Sequence, residues 1–74
     1  MKLSQIQTDK AALITAINVS EFYFKELKKF GIVKDGVICL IGKSPFGGTI
    51  EVKVNGTRLG ISRNLAEGIT VKYV

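Results

Sequence analysis

The sequence contains no histidine and no tryptophan, and its only cysteine is Cys39. A disulfide within the chain would need a second cysteine, and a zinc site of cysteine and histidine needs about four ligands. Without histidine, no serine or cysteine can be activated by an imidazole base, as in Ser-His and Cys-His hydrolases. The composition therefore predicts no catalytic residues, no metal site and no cofactor, and it favours a binding or regulatory module.

Long hydrophobic runs are also missing. The longest uninterrupted apolar run is Val37 to Ile41, far shorter than the ~20 residues that cross a bilayer. The first residues, Met1 to Gln5, turn polar immediately and do not have the pattern of a secretory signal. We therefore expect one small domain over residues 1–74, a cytoplasmic location and no membrane insertion.

The chain is basic, with 11 lysines and arginines against 6 acidic residues and a formal net charge of +5. Such a charge suits nucleic acid, an anionic membrane surface or an acidic protein partner. The basic residues are scattered, however, and only Lys28 and Lys29 are adjacent, which is typical of a solubilising surface. No nucleic acid is expected as a partner, although a nucleic-acid-binding small β-barrel remains the alternative function.

One helix is predicted, from Ser20 to Phe30. Ser20 can cap its first N–H groups, and Gly31 can take the left-handed conformation that ends a helix. Its apolar positions at helical spacing form a stripe that we expect to be buried: Tyr23, Phe24, Leu27 and Phe30.

Most of the remaining chain alternates as strands do. Strands are predicted at 10–17, 37–41 and 49–54, and in the closing stretch from Ile69 to Tyr73. The segment from Ser62 to Gly68 is predicted to be an irregular turn, with at most one 3₁₀ turn around Leu65 and Ala66.

Asn55-Gly56 predicts a hairpin with a two-residue type I′ turn. That turn sets Val54 opposite Thr57, and further along it brings the apolar residues of both strands to one face. It also sets Lys53 opposite Arg58 on the outer face, a pair of like charges that is mildly unfavourable.

These elements predict a mainly β fold, a small SH3-like barrel of about five strands with one α-helix inserted after the first strand. An OB-like barrel is the second choice. The predicted core consists of apolar residues from all of the elements: Leu13, Ile14, Leu27, Phe30, Ile38, Leu40, Ile50, Val52, Leu59, Ile61, Ile69 and Val71.

Two short motifs are given structural interpretations. Gly42-Lys43-Ser44 is similar to the end of a phosphate-binding loop, but the first glycine of that motif is out of place and Pro45 follows in place of a helix. We interpret it as a turn between strands and expect no GTP or ATP binding. Cys39 lies in the middle of a strand and is predicted to be a buried, inert thiol.

The loop Ser44-Pro45-Phe46-Gly47-Gly48 carries an aromatic residue that no strand requires. Phe46 either anchors a partner or folds inward to plug one end of the barrel. The candidate partner-binding surface is this loop with nearby basic residues: Lys43, Phe46, Lys53 and Arg58.

Four segments, in this order, are similar to those of the ferrous iron transport protein A (FeoA) family: Phe30-Gly31-Ile32-Val33, Ser44-Pro45-Phe46-Gly47, Leu59-Gly60-Ile61-Ser62-Arg63, and Ala66 followed by Ile69-Thr70-Val71. The resemblance implies an SH3-like fold, shared with the C-terminal domain of iron-dependent repressors. It also implies a cytoplasmic accessory protein of bacterial Fe(II) uptake whose partner is the ferrous iron permease FeoB.

Other functions are less well supported by the sequence. An interaction domain of a metal-dependent repressor is disfavoured because no pair of DNA-reading helices is predicted. An enzyme would have to act through carboxylates alone. Self-association and the sensing of iron level are left open.

Overall fold

Five strands and two short α-helices make up the computed structural model, which describes residues 1–74. In chain order the elements are a 3₁₀ turn (Leu3–Gln5), β1 (Ala11–Ile17), α1 (Glu21–Lys29), β2 (Val37–Lys43), β3 (Thr49–Val54), β4 (Thr57–Ser62), α2 (Arg63–Glu67) and β5 (Ile69–Tyr73). The mainly β architecture, with five strands and a helix after the first, is confirmed.

All five strands form one antiparallel sheet in the order β4-β3-β2-β1-β5. Its register shifts twice, between Ile14 and Ala16 in β1 and between Leu40 and Gly42 in β2. Extra residues of this kind bend a strand and increase its twist. The sheet therefore curls, and α2 connects its two edge strands, β4 and β5.

The β3–β4 hairpin has the predicted register. Val54 lies opposite Thr57, and Lys53 lies opposite Arg58. Both turn residues have positive φ, 51° at Asn55 and 78° at Gly56, as a type I′ turn requires. The local sequence therefore determines this part of the sheet.

The ends of α1 also form as predicted. At its start, the Ser20 side chain accepts a hydrogen bond from the backbone N–H of Tyr23. At its end, Gly31 has φ +86°, and its N–H donates to the Lys28 carbonyl at 3.0 Å. The N–H of Ile32 donates to the Leu27 carbonyl, also at 3.0 Å, which completes a Schellman motif.

The predicted buried stripe of α1 is wrong. Of its side chains only Leu27 is buried, whereas Tyr23, Phe24 and Phe30 are 47%, 43% and 48% exposed. The helix is only nine residues long, and Leu27 is its one residue in the core. The aromatic side chains of the predicted stripe therefore remain at the surface.

The core is one cluster of fifteen buried apolar residues. Nine of the predicted members belong to it, but Leu13 and Leu59 are only half-buried and Phe30 is exposed. The sequence reasoning missed six residues that are also buried: Leu3, Ile6, Ala12, Ile32, Val54 and Ala66. Leu3 and Ile6 come from the N-terminal segment, for which the sequence pattern predicted no element.

The segment predicted to be an irregular turn forms α2 instead. The Ser62 hydroxyl accepts a hydrogen bond from the Leu65 N–H at 3.2 Å, which caps the helix start. The Arg63 Nε lies 3.8 Å from a Glu67 carboxylate oxygen one turn later. A helix of five residues is too short to show an apolar period, which is why the pattern did not reveal it.

Candidate functional site

The loop between β2 and β3 presents Phe46 to solvent. Its side chain is 97% exposed, so the alternative that it plugs the barrel is wrong. The Ser44 carbonyl accepts from Gly47 N–H at 3.0 Å, and the Ser44 hydroxyl accepts from the N–H groups of Gly48 and Thr49 at 3.1 and 3.3 Å. The loop is therefore well held at its base, with an aromatic ring at its tip.

Of the other three predicted site residues, only Lys43 borders the loop, because it ends β2 directly before Ser44. Lys43 lies opposite Ile50, three residues along β3 from Lys53, or about 10 Å at the rise of a strand. Lys53 and Arg58 lie opposite each other near the far end of the hairpin. The structure brings these two together and separates them from the loop.

Lys43 has a structural contact of its own. Its Nζ donates a hydrogen bond to the Ser4 carbonyl at 2.8 Å and so ties the N-terminal 3₁₀ turn to the end of β2. The segment around it ends β2 and enters a turn, as predicted, and no helix follows.

Lys53 and Arg58 have no acidic partner. All four ion pairs of the molecule involve other cations, and all lie at the surface: Lys2–Glu67, Lys25–Glu21, Lys29–Glu26 and Arg63–Glu67. The two side chains thus form a small basic site on the outer face of the sheet, where Glu51 lies two residues along β3 and forms no ion pair with either. Cys39, opposite Lys53 on the neighbouring strand, is only half-buried, so the predicted burial of its thiol is incomplete.

A groove of about 410 Å³ lies between α1 and the edge strand β4, and we call it the α1–β4 groove. Phe22, Tyr23 and Phe30 line it on the helix side, and Leu59 and Ile61 line it on the strand side. The Phe22 side chain is 67% exposed, and its ring meets that of Tyr23 edge to face, with centroids 5.2 Å apart. Such a concentration of exposed aromatic rings is typical of a protein-binding surface.

The sequence reasoning missed this groove, although a signal was present. The helix has three aromatic residues in its nine positions and a fourth, Phe30, directly after it. One face of a short helix cannot bury so many rings. Their excess could have indicated an exposed aromatic surface.

Metal binding would need several ligands close together. No group of three or more histidine, cysteine, aspartate or glutamate side chains has that arrangement. Neither helix has the length and apolar character needed to cross a membrane.

Comparison with known families gives one match over almost the whole chain. The family described as FeoA domain matches residues 1–73. A search of curated proteins found no match.

Solved structures agree with this match. The FeoA protein from Chlorobium tepidum superimposes with a TM-score of 0.94 at 34% identity, covering 100% of this chain and 70% of that one. Iron(II) transport protein A from Clostridium thermocellum gives a TM-score of 0.93 at 27% identity, covering 100% of this chain and 46% of that one. These relatives are SH3-like small β-barrels, which confirms the predicted fold.

Metal-dependent repressors share the fold at lower identity. A manganese-dependent transcriptional repressor in complex with manganese has a TM-score of 0.87 at 16% identity, and the match covers 100% of this chain and 36% of that one. At this identity the likeness concerns the fold alone. The match of the family over residues 1–73 and the agreement with the Chlorobium tepidum protein lead to one conclusion: the chain belongs to the FeoA family, which is associated with ferrous iron transport.

Proposed function

We propose that this protein is a cytoplasmic accessory or regulatory protein of bacterial Fe(II) uptake that acts by contact with the cytoplasmic region of a FeoB-type ferrous iron permease. Family membership supports the pathway, and the exposed Phe46 carries the argument for contact. An aromatic ring that is 97% exposed contributes nothing to the core, yet its loop is held by backbone hydrogen bonds. An ordered, exposed aromatic residue is a good anchor for a partner surface.

The proposed role needs no chemistry from this chain. We assign it no catalytic residue, no cofactor and no metal ligand, and its effect on transport would come from binding. Lys53 and Arg58 would add attraction for an acidic surface of the permease, because both cations lack a partner within the chain.

The test is a binding assay with the purified cytoplasmic region of the permease. The double variant Phe46→Ala with Lys53→Glu should bind about tenfold more weakly or worse, since it loses the anchor and reverses one charge. Lys72→Glu on β5 is the matched control: it makes the same charge change opposite the uncharged Leu13. It should bind as the parent does.

Unchanged binding by the double variant would remove this surface from consideration. A parent protein that shows no binding to the permease at all would overturn the proposed function.

A further inference from the structure

The edge of β4 has main-chain groups with no partner in the sheet. The residues that flank a two-residue hairpin turn form a hydrogen-bonded pair, and such pairs recur at every second residue. Thr57, Leu59 and Ile61 therefore direct their N–H and C=O groups towards β3. Arg58 and Gly60 direct theirs away from the sheet, where no strand lies.

The two edges of the sheet differ in protection. Along β5, Thr70 pairs with Lys2, and the Val71 N–H donates to the Met1 carbonyl at 2.7 Å. The N-terminal segment therefore covers that edge. β4 has no such cover, and it contains no proline or bulge to block strand pairing. At its centre, Gly60 lacks a side chain, so another backbone can approach closely.

The α1–β4 groove lies directly beside this open edge. A strand added to β4 would place every second side chain on the same face as Leu59 and Ile61, which line the groove. Apolar side chains at those positions would contact the rings of Phe22 and Tyr23. The groove thus favours an incoming strand with apolar residues at alternate positions.

On its opposite face, β4 favours a bound strand that carries negative charge. Arg58 is exposed there, directly opposite Lys53, and neither cation has an acidic partner. A carboxylate on the added strand next to Arg58 would pair with it and offset its repulsion with Lys53. The intervening residue of the incoming strand that lies next to Arg58 should therefore be acidic.

We propose that β4 binds, by strand addition, an extended segment of a partner protein in which acidic and apolar residues alternate. The apolar residues occupy the α1–β4 groove, the carboxylates meet Arg58, and the backbone pairs with Arg58 and Gly60. This inference rests on the proposed function, which it deepens by naming the kind of segment that is bound. A second copy of this chain is disfavoured as the occupant because each copy carries a net charge of +5.

The probe is a synthetic peptide in which glutamate alternates with leucine, and binding is followed by fluorescence anisotropy and by amide exchange. The parent protein should bind it, and the Arg58 and Gly60 amides should become protected from exchange. Arg58→Glu should weaken binding about tenfold or more, whereas Lys72→Glu at the other edge should have little effect. A peptide with lysine in place of glutamate should not bind the parent protein.

The decisive control changes the peptide and leaves the protein intact. A peptide methylated at alternate backbone nitrogens keeps its side chains but loses its main-chain donors, so it should not bind. Equal binding of the methylated and unmethylated peptides would overturn the proposal. So would an amide-exchange rate of Gly60 that does not change when the unmethylated peptide is added, or a failure of the protein to bind that peptide. If the Gly60 amide becomes protected as the protein concentration rises, with no peptide present, the β4 edge binds a second copy of the chain. That result would also overturn the proposal.

The permease assay separates this inference from the proposed function. If Arg58→Glu abolishes peptide binding but leaves the permease contact unchanged, the strand-addition mode is wrong for that partner and the proposed function remains. If the parent protein binds the peptide but never the permease, the proposed function fails and the peptide-binding edge remains.

Discussion

Gly68 shows how strongly a single position can constrain this small molecule. It follows α2, and its carbonyl accepts the Asn18 N–H at 2.7 Å. A Cβ at this position would collide with the Asn18 carbonyl oxygen and lie 2.8 Å from Val19 Cγ1. The chain packs so closely here that only hydrogen fits, although the φ of Gly68 is ordinary, −88°.

We therefore expect Gly68→Ala to lower the free energy of unfolding by about 1–3 kcal/mol, because the backbone of Asn18 must move. Gly42→Ala is the matched control, since a Cβ there meets nothing within 4 Å. It should leave stability unchanged or raise it by up to about 1 kcal/mol. Urea unfolding followed by circular dichroism measures both, and equal costs for the two variants would contradict the explanation.

The side chains of α1 divide into one that holds the helix in place and several that face solvent. We expect Leu27→Ala to cost about 2–5 kcal/mol, since it removes the only buried side chain of the helix. Phe22→Ala, at an exposed ring, should cost under about 1 kcal/mol. Thermal unfolding of both variants checks the difference, and a larger cost at Phe22 would show that the groove is part of the core.

At the scale of the element, the pair Lys53 and Arg58 lowers the stability of the hairpin. We expect Lys53→Glu to raise the free energy of unfolding by about 0.2–1 kcal/mol, because opposite charges then face each other. The gain should shrink as salt is added. Lys72→Glu, opposite Leu13, should show no comparable gain. Unfolding at two ionic strengths provides the measurement, and a gain independent of salt would refute the electrostatic cause.

This prediction also strengthens the binding test. A variant that is more stable yet binds the permease less well cannot have lost binding through unfolding.

Local sequence determines the elements that could be predicted. Asn55-Gly56 and the alternation beside it determine the hairpin register, and Ser20 and Gly31 determine where α1 begins and ends. Each of these signals acts over a few residues. The burial of α1 depends instead on how the sheet curls and on Leu3 and Ile6 filling the core, which no local pattern reveals.

The candidate site was predicted only in part for the same reason. The exposed loop of Phe46 follows from Pro45 and Gly47 nearby. The open edge at Gly60 follows from the strand order: because β5 pairs with β1, it does not pair with β4. Strand order is a property of the whole chain, which no local pattern shows.

At the scale of the whole molecule, the sheet combines near and distant pairings. β2, β3 and β4 are consecutive and joined by short turns, whereas β1 and β5 pair across most of the chain, as between Ile17 and Ile69. Closing a long loop costs more conformational entropy than closing a short one. We therefore expect the three consecutive strands to form first.

Matched core variants test this order. Val52→Ala in β3 should slow folding, with a φ-value of about 0.5 or more, and Val71→Ala in β5 should mainly speed unfolding, with a φ-value below about 0.3. Both valines are almost fully buried, so the two changes remove the same number of buried carbon atoms. Stopped-flow folding and unfolding rates give the values, and the reverse ranking would contradict the proposed order.

The position of β1 between β2 and β5 has a consequence for synthesis. β1 is translated before the other four strands of the sheet, and its second neighbour, β5, is translated after them. At about 5–20 residues per second, the nascent chain carries β1 for several seconds with one side unpaired. During that interval the unpaired main-chain groups of β1 can pair with another chain, which is the exposure that chaperones prevent.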